Sequence, residues 1–130
     1  MKAFAILALI FASLFGAAES KPKCKGNPKV IGACYVVHGR LSLWNGTPAL
    51  RIWRIGSKRI LGVTAGPIRD DADEPIYPAK VKKLIPGYGV QVYGDYEVCP
   101  FTKEKLGEMQ LVCINSATNL HVKRYPLSPK

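Results

Sequence analysis

Arginine and tryptophan alternate in one short part of the chain, and together these residue types could bind an anion. Arg40 and Trp44 precede the dipeptide at 45–46, and Arg51 and Trp53 follow it. A guanidinium pairs with phosphate or carboxylate, and an indole ring can stack on a guanidinium or on a base. The candidate ligand-binding residues are His38, Arg40, Trp44, Arg51, Trp53 and Arg54.

These side chains can act together only if the chain folds back between the two groups. Asn45-Gly46 is typical of a two-residue β-hairpin turn, because both turn positions need a positive φ. Such a turn would place Arg40 directly opposite Arg51. Two facing arginines repel each other unless an anion lies between them. The sequence therefore predicts a ligand-binding face on this hairpin.

The same count places His38 opposite Trp53 and sends the apolar side chains to the other, buried face. A β-bulge at Gly39 would change this, because a slip of one residue exchanges the two faces of a strand. The arginines would then pair with Asp95 or Glu97 on a neighbouring strand. The apolar residues of the hairpin are Val37, Leu41, Leu43, Leu50 and Ile52.

Two histidines suggest a second chemistry, the acid–base cleavage of a phosphodiester. One imidazole could act as base and the other as acid, and the candidates are His38 and His121. His121 has no characteristic neighbours, and no nucleophile, zinc-hydrolase or nucleotide-loop motif occurs in the chain. The sequence therefore favours a protein that is not an enzyme and needs no cofactor.

Four cysteines predict two disulfides, given an even count and an oxidising compartment. A four-sulfur zinc site usually contains Cys-x-x-Cys pairs, and none occurs here. Three pairings are possible, and the sequence does not choose among them. The cysteines are Cys24, Cys34, Cys99 and Cys113.

The N-terminus predicts export. Lys2 precedes a nearly unbroken apolar run at 3–18, and small and polar residues follow it, which is the pattern of a secretory signal peptide over residues 1–20. The run is shorter than the about 20 residues that a membrane-spanning helix needs. We therefore expect a periplasmic or secreted protein without a transmembrane segment in its mature chain.

The charge of the chain limits its partners. Nineteen Lys and Arg residues against 9 Asp and Glu give a formal net charge of +10. Four of the acids lie together within residues 70–74, so the remaining surface is more basic still. A basic exported protein attracts anionic partners such as envelope polymers, lipid head groups or nucleic acid. Solubility alone is the alternative explanation.

The order of strands and turns predicts one all-β domain over residues 33–124. A basic N-terminal arm (21–32) precedes it, and a flexible tail (125–130) follows. A helix between the third and fourth strands is the order of a small OB-like barrel, and an open β-sandwich of five to six strands is the alternative. The predicted strands are 34–44, 47–55, 58–63, 90–98, 109–114 and 120–123, with a short helix at 78–85.

Three segments, at 34–53, 94–100 and 107–113, combine cysteines with strand-forming and aromatic residues in a distinctive pattern. They resemble a group of small exported bacterial proteins of unassigned function. The similarity covers residues 34–123. It implies a periplasmic or secreted bacterial protein and carries over no activity.

The favoured interpretation is an exported, non-catalytic protein that binds anionic cell-envelope polymers or nucleic acid through the arginines and tryptophans. A structural, stress-related or inhibitory role through a protein partner is the alternative. A small secreted hydrolase of the ribonuclease kind is the third hypothesis.

Overall fold

The structure, a computed structural model, describes residues 22–126. The proposed signal peptide at 1–20 and residues 127–130 of the predicted tail lie outside the described residues, and the Tyr125 N–H at the start of that tail donates to the Gly89 carbonyl at 2.8 Å. No helix within residues 22–126 is long and apolar enough to cross a membrane. The elements in chain order are β1 (Tyr35–Leu43), β2 (Leu50–Arg54), β3 (Ile60–Val63), a 3-10 turn (Arg69–Ala72), α1 (Ala79–Lys82), β4 (Val90–Pro100) and β5 (Gln110–Arg124).

The five strands close into a barrel in the order β1-β2-β3-β5-β4. The β3–β5 pair is parallel, and the other neighbouring pairs are antiparallel. With α1 between β3 and β4, this arrangement confirms the predicted OB-like barrel over the open β-sandwich. The strands therefore present one continuous outer surface from β2 through β1 and β4 to β5.

β5 is a single long strand, although the sequence predicted two short ones. Four of its residues 115–119 are polar, and the predicted strands left this stretch out, but it pairs with β4 and is partly open to solvent. The β4–β5 register shifts twice, between Tyr93 and Asp95 and between Glu97 and Val98. These irregularities let one strand continue where the alternation of apolar residues breaks down.

The core fills the barrel with side chains from alternate strand positions. Leu41, Ile52 and Tyr96 are fully buried, and the Tyr96 hydroxyl donates a hydrogen bond to the Val92 carbonyl at 2.7 Å. A Cβ on Gly39 would overlap the Ile52 side chain, so a glycine is required where β1 passes this part of the core. The interior of the barrel is thus packed with apolar side chains.

Two disulfides lie where β4 ends and β5 begins, and they confirm the predicted number of bridges. The pairing is Cys24–Cys113 and Cys34–Cys99. Cys99 and Cys113 are directly opposite each other on β4 and β5, and they form a second buried cluster with Phe101. The bridges therefore connect the N-terminal arm and β1 to the β4–β5 pair.

The N-terminal arm is folded onto the barrel rather than extended. Cys24 is buried, and the Asn27 N–H donates to its carbonyl at 3.2 Å in a turn. Farther along, the Ile31 N–H donates to the Pro100 carbonyl at 2.9 Å. The arm thus brings Lys25 beside Glu97 of β4 and Lys29 beside Asp71 of the 3-10 turn.

Candidate anion-binding surface

The connection between β1 and β2 is longer than the predicted two-residue turn. The Trp44 N–H donates to the Ala49 carbonyl at 2.8 Å, so residues 45–48 form the loop. The peptide bond that joins Thr47 to Pro48 within this loop is cis. β2 begins at Leu50.

The longer loop shifts the β1–β2 register by two residues. Arg40 lies opposite Trp53, and Ser42 lies opposite Arg51. The predicted pairing of Arg40 with Arg51 is therefore wrong, and no repulsion between directly facing arginines exists. Instead, the Arg40 guanidinium lies beside the indole ring of Trp53.

Because the shift is an even number of residues, each strand keeps its faces. Val37, Leu41, Leu50 and Ile52 are buried inside the barrel, as predicted, and Leu43 is half-buried at its rim. β1 pairs without a bulge with both of its neighbours, so the alternative with reversed faces is not observed.

Two rows of outward side chains cross the strands from β2 to β5. The first row consists of Arg51, Ser42, Gln91 and Lys123. The second row consists of Trp53, Arg40, Tyr93 and His121. We call these eight residues, together with Trp44 beside Arg51, the cation–aromatic surface.

Each arginine or lysine of this surface lies over an aromatic ring. An aromatic ring attracts a cation by about 0.5–1 kcal/mol at exposed sites, yet it carries no net charge. The ring therefore orients the cation without neutralising it. The pairs are Arg40 over Trp53 at 4.8 Å, Arg51 over Trp44 at 5.7 Å and Lys123 over Tyr93 at 5.1 Å to the ring centroid.

Hydrogen bonds to the backbone hold two of these groups in place. The Trp53 indole N–H donates to the Ser57 carbonyl at 2.8 Å, and Arg51 Nε donates to the Pro48 carbonyl at 2.7 Å. Gly46 has a φ of +124°, and a Cβ there would lie 3.0 Å from Arg51 Nη2. The β1–β2 loop is thus shaped around the Arg51 guanidinium.

No carboxylate neutralises the three cations among the residues that the structure describes. The acids of that region lie beside other groups: Glu97 beside Lys25, Asp71 beside Lys29, Glu104 beside Arg59, and Asp95 beside the His38 imidazole. In addition, Arg40 Nε and Gln91 Oε1 are buried without a hydrogen-bond partner. A buried polar atom without a partner costs about 1–3 kcal/mol, so this surface is not optimised for the stability of the unliganded protein.

Two residues beyond Tyr93, the outward side chains of β4 become acidic. Asp95 Oδ1 lies 2.8 Å from His38 Nδ1, and its Oδ2 accepts a hydrogen bond from Asn119 at 2.8 Å. The bond from Asn119, and then that from His38, lowers the pKa of Asp95 below its ordinary value of 3.8. His38 thus belongs with an acid and not with the unpaired cations.

Glu97, the next outward residue of β4, is also compensated. It accepts a hydrogen bond from Asn115 at 2.6 Å and lies 3.8 Å from Lys25 Nζ of the N-terminal arm. We call this second region the carboxylate cluster; its members are Asp95, His38, Asn119, Glu97, Asn115 and Lys25.

Arg54, like His38, was predicted to bind the ligand but lies outside the cation–aromatic surface. It ends β2 opposite Gly39, away from the β1–β2 loop, and its side chain is exposed. It lies near Tyr35, whose pKa is raised by burial and then by Glu104, and is lowered in part by Arg54. Arg54 therefore is not a member of the cation–aromatic surface.

The sequence analysis did not predict three residues of the cation–aromatic surface: Gln91, Tyr93 and Lys123. Alternation along residues 90–98 does place Gln91 and Tyr93 on the outer face of their strand. That β4 lies beside β1, however, depends on the closure of the barrel. Sequence spacing carries no signal for that neighbour.

The two histidines of the hydrolase hypothesis are not brought together by the strand pairing. His38 lies on β1 and His121 on β5, with β4 between them, so the backbones are separated by about 10 Å, two strand spacings. Tyr93 occupies the position on β4 directly opposite His121. Each imidazole is on the open outer surface and not in a cleft.

Within residues 22–126, one group of side chains has ligand atoms close enough for a metal ion. The sulfurs of Cys24, Cys99 and Cys113 lie within 4.8 Å of one another. All three are bonded in disulfides, and a disulfide sulfur lacks the thiolate charge that binds metals. The group is therefore structural.

The fold and this surface define a class: a small disulfide-bonded β-barrel protein with an outward-facing row of unpaired cations. No protein-family model matches the chain, and the searches of curated proteins and of solved structures gave no match either. The resemblance to small exported bacterial proteins stays a prediction.

Proposed function

We propose that this is an exported, non-catalytic protein whose cation–aromatic surface binds a phosphodiester polymer of the cell envelope or a nucleic acid. One observation carries the proposal. Three cations lie over aromatic rings on one outer surface, and none has a carboxylate partner within residues 22–126.

The arrangement of the cations favours an extended ligand over a small anion. Arg51 on β2 and Lys123 on β5 are three strand spacings apart, about 14 Å across the sheet. A single phosphate or carboxylate is held by cations that converge on one point. Cations spread across four strands instead suit a chain with repeated charges.

Phosphate suits these side chains better than other anions do. A guanidinium offers a planar set of donors that matches two phosphate oxygens, and it keeps its charge at any physiological pH. Nucleic acids and envelope polymers such as teichoic acid supply the same phosphodiester groups. The net charge of +10 would increase the rate at which such polymers meet the protein.

Several observations support the exported location. The N-terminal pattern predicts a signal peptide, and the barrel carries two disulfides, which persist in oxidising compartments. The resemblance to exported bacterial proteins implies the same location.

Tryptophan fluorescence tests the proposal directly, because both tryptophans of the chain belong to the cation–aromatic surface. The mature protein is titrated with single-stranded oligouridine, poly(glycerol phosphate) teichoic acid and lipopolysaccharide, each at low and high salt. We expect saturable quenching that weakens steeply with salt for at least one of them.

Two variants show whether the response comes from this surface. Arg40→Gln with Arg51→Gln should abolish most of the quenching. Lys80→Gln with Lys82→Gln, which removes two exposed lysines of α1, should leave it unchanged. If no ligand produces a salt-sensitive response, the proposal is wrong, and a protein partner becomes the better hypothesis.

The hydrogen bond between His38 and Asp95 is the one observation that favours a hydrolase as second candidate. It would orient an imidazole for general-base chemistry. Incubation of the protein with oligouridine, followed by separation of the products, tests this candidate. Cleavage that disappears in the His38→Ala and His121→Ala double variant would support it, and an intact oligonucleotide would exclude it for this substrate.

A further inference from the structure

We infer that the bound polymer is a single flexible chain that crosses the strands from Arg51 on β2, past Arg40 on β1, to Lys123 on β5. A rigid duplex does not fit this path. The inference rests on the proposed function and specifies the form of the ligand that the surface accepts.

The rows of the cation–aromatic surface set the direction of the path. Between Arg40 and Lys123, β4 contributes Gln91 and Tyr93, which carry no charge at neutral pH. Ser42 lies between Arg51 and Gln91 in the first row. Ser42 is buried, so Gln91 and Tyr93 are the partly exposed neutral groups between the cations, as a chain with charges at intervals requires.

Acidic side chains exclude the polymer from the rest of β4. The outward positions after Tyr93 are Asp95 and Glu97, the two acids of the carboxylate cluster. A polyanion that followed β4 along its length would approach both of them. A polyanion that crosses the strands along the two rows avoids that approach, so the distribution of charge favours the crossing direction.

The path ends at β2 because β3 has no cation on this side. Ile60 lies opposite Trp53, and Gly62 lies opposite Arg51. A Cβ on Gly62 would lie 2.5 Å from Pro48 Cγ, so the β1–β2 loop packs directly over β3 at this point. The surface therefore differs from the platform on strands 2 and 3 that OB-fold barrels commonly use for oligonucleotides.

The curvature of the sheet decides between a single chain and a duplex. Because five strands close the barrel, the three steps from β2 through β1 and β4 to β5 cover three of the five strand-to-strand intervals around it, and the outward direction turns strongly between β2 and β5. A nucleic-acid duplex has a persistence length of about 50 nm and stays straight over this distance. It would touch the strands at the crest of the convex surface and miss the outer ones. A single chain can bend to reach all three cations.

Fluorescence titrations of the mature protein with three probes test this inference. The probes are single-stranded oligouridine, an adenine–uracil duplex of the same length, and poly(glycerol phosphate). The variants are Arg51→Gln and Lys123→Gln at the two ends of the path, with Lys82→Gln on α1 as the matched control. Each titration is repeated over a range of salt concentrations.

We expect the single strand to bind at least tenfold more tightly than the duplex. The slope of log K against log salt is negative, and each end variant should make it less negative by about 0.7, the contribution of one phosphate contact on a single strand. The control should not change the slope. If poly(glycerol phosphate) is bound, both end variants should weaken it as well.

Two results would overturn the inference and leave the proposed function intact. One is equal affinity for the duplex and the single strand. The other is a bound probe that responds to Arg51→Gln but no more to Lys123→Gln than to Lys82→Gln. Absence of binding to all three probes would instead contradict the proposed function itself.

Discussion

Two regions of one outer sheet surface differ in whether their charged side chains have partners of opposite charge. In the carboxylate cluster, Asp95 is paired with His38, and Glu97 with Lys25. In the cation–aromatic surface, each cation lies over a ring and has no acid within residues 22–126. The regions share β1, β4 and β5, so their difference does not arise from the backbone.

The comparison shows that stability does not explain the second arrangement. An exposed ion pair contributes about 0–1 kcal/mol, and an exposed cation–aromatic pair contributes a similar amount. The two regions thus add comparably little to the fold. They differ in their charges: each acid of the carboxylate cluster keeps a hydrogen-bonding or ionic partner beside it, whereas the rings leave the positive charge of the cations available to a ligand.

The largest effect we expect is a loss of stability when the disulfide that holds Lys25 near the carboxylate cluster is removed. Cys24→Ser with Cys113→Ser removes the bridge that closes a sequence separation of 89 residues and ties the arm with Lys25 to the barrel. The free energy of unfolding should fall by about 2–5 kcal/mol. Denaturant unfolding measures this loss, with Cys34→Ser and Cys99→Ser as the matched comparison.

While it remains folded, the Cys24→Ser and Cys113→Ser variant should bind the oligonucleotide or teichoic acid with unchanged affinity. The bridge does not belong to the cation–aromatic surface. A folded variant with strongly reduced affinity would show that the two regions are not independent.

The second effect concerns ligand binding. Arg40→Gln with Arg51→Gln should lower affinity about 100-fold, because each charge-assisted hydrogen bond contributes about 1.5 kcal/mol or more. The matched change in the other region, Asp95→Asn with Glu97→Gln, should leave affinity equal or slightly higher. If both double variants lose affinity to the same extent, the proposed division of the surface is wrong.

A smaller effect separates the ring from the cation. Trp53→Leu removes the support of Arg40 and keeps its charge, so affinity should fall about three- to fivefold, the equivalent of a cation–π contact. Stability should fall as well, since the indole N–H donates to Ser57. Titration by fluorescence anisotropy of a labelled ligand measures the affinity, and an unchanged value would mean that the ring has only a structural role.

The smallest effect is a pH dependence confined to the carboxylate cluster. Hydrogen bonds from Asn119 and His38 lower the pKa of Asp95 in the folded protein below 3.8. The stability they contribute is therefore present above pH 3.8 and is lost as the pH falls through the lower, folded value.

Asp95→Asn should flatten the pH dependence of unfolding below pH 3.8, while Lys80→Gln on α1, outside the cluster, should not. Urea unfolding at a series of acidic pH values measures this. An identical pH dependence in wild type and Asp95→Asn would refute the assignment.

The sequence predicted the faces of the β1–β2 hairpin better than its register. The alternation of apolar and polar residues set which side chains point outward, and an even shift preserved it. The loop length was not predicted, because Asn45-Gly46 is typical of a two-residue turn whereas residues 45–48 form the observed loop. Arg40 and Arg51 were thus correctly assigned to one surface, but their direct partners were not.

The rest of the surface could not be predicted because it depends on contacts distant in sequence. Tyr93 meets Arg40 only because β4 closes the barrel beside β1, and Lys123 meets Tyr93 only because β5 continues past two register shifts. The disulfide pairing depends on the same closure, because Cys34 precedes β1 and reaches Cys99 through the pairing of β1 with β4.

The salt dependence of oligouridine binding tests the central claim most directly. It compares the mature protein, a variant with Arg40, Arg51 and Lys123 each replaced by Gln, and a control with Lys80, Lys82 and Lys83 of the α1 region replaced likewise. With three phosphate contacts, the slope of log K against log salt should be about −2 for wild type and for the control, and close to zero for the first variant. Equal slopes for all three proteins would contradict the account.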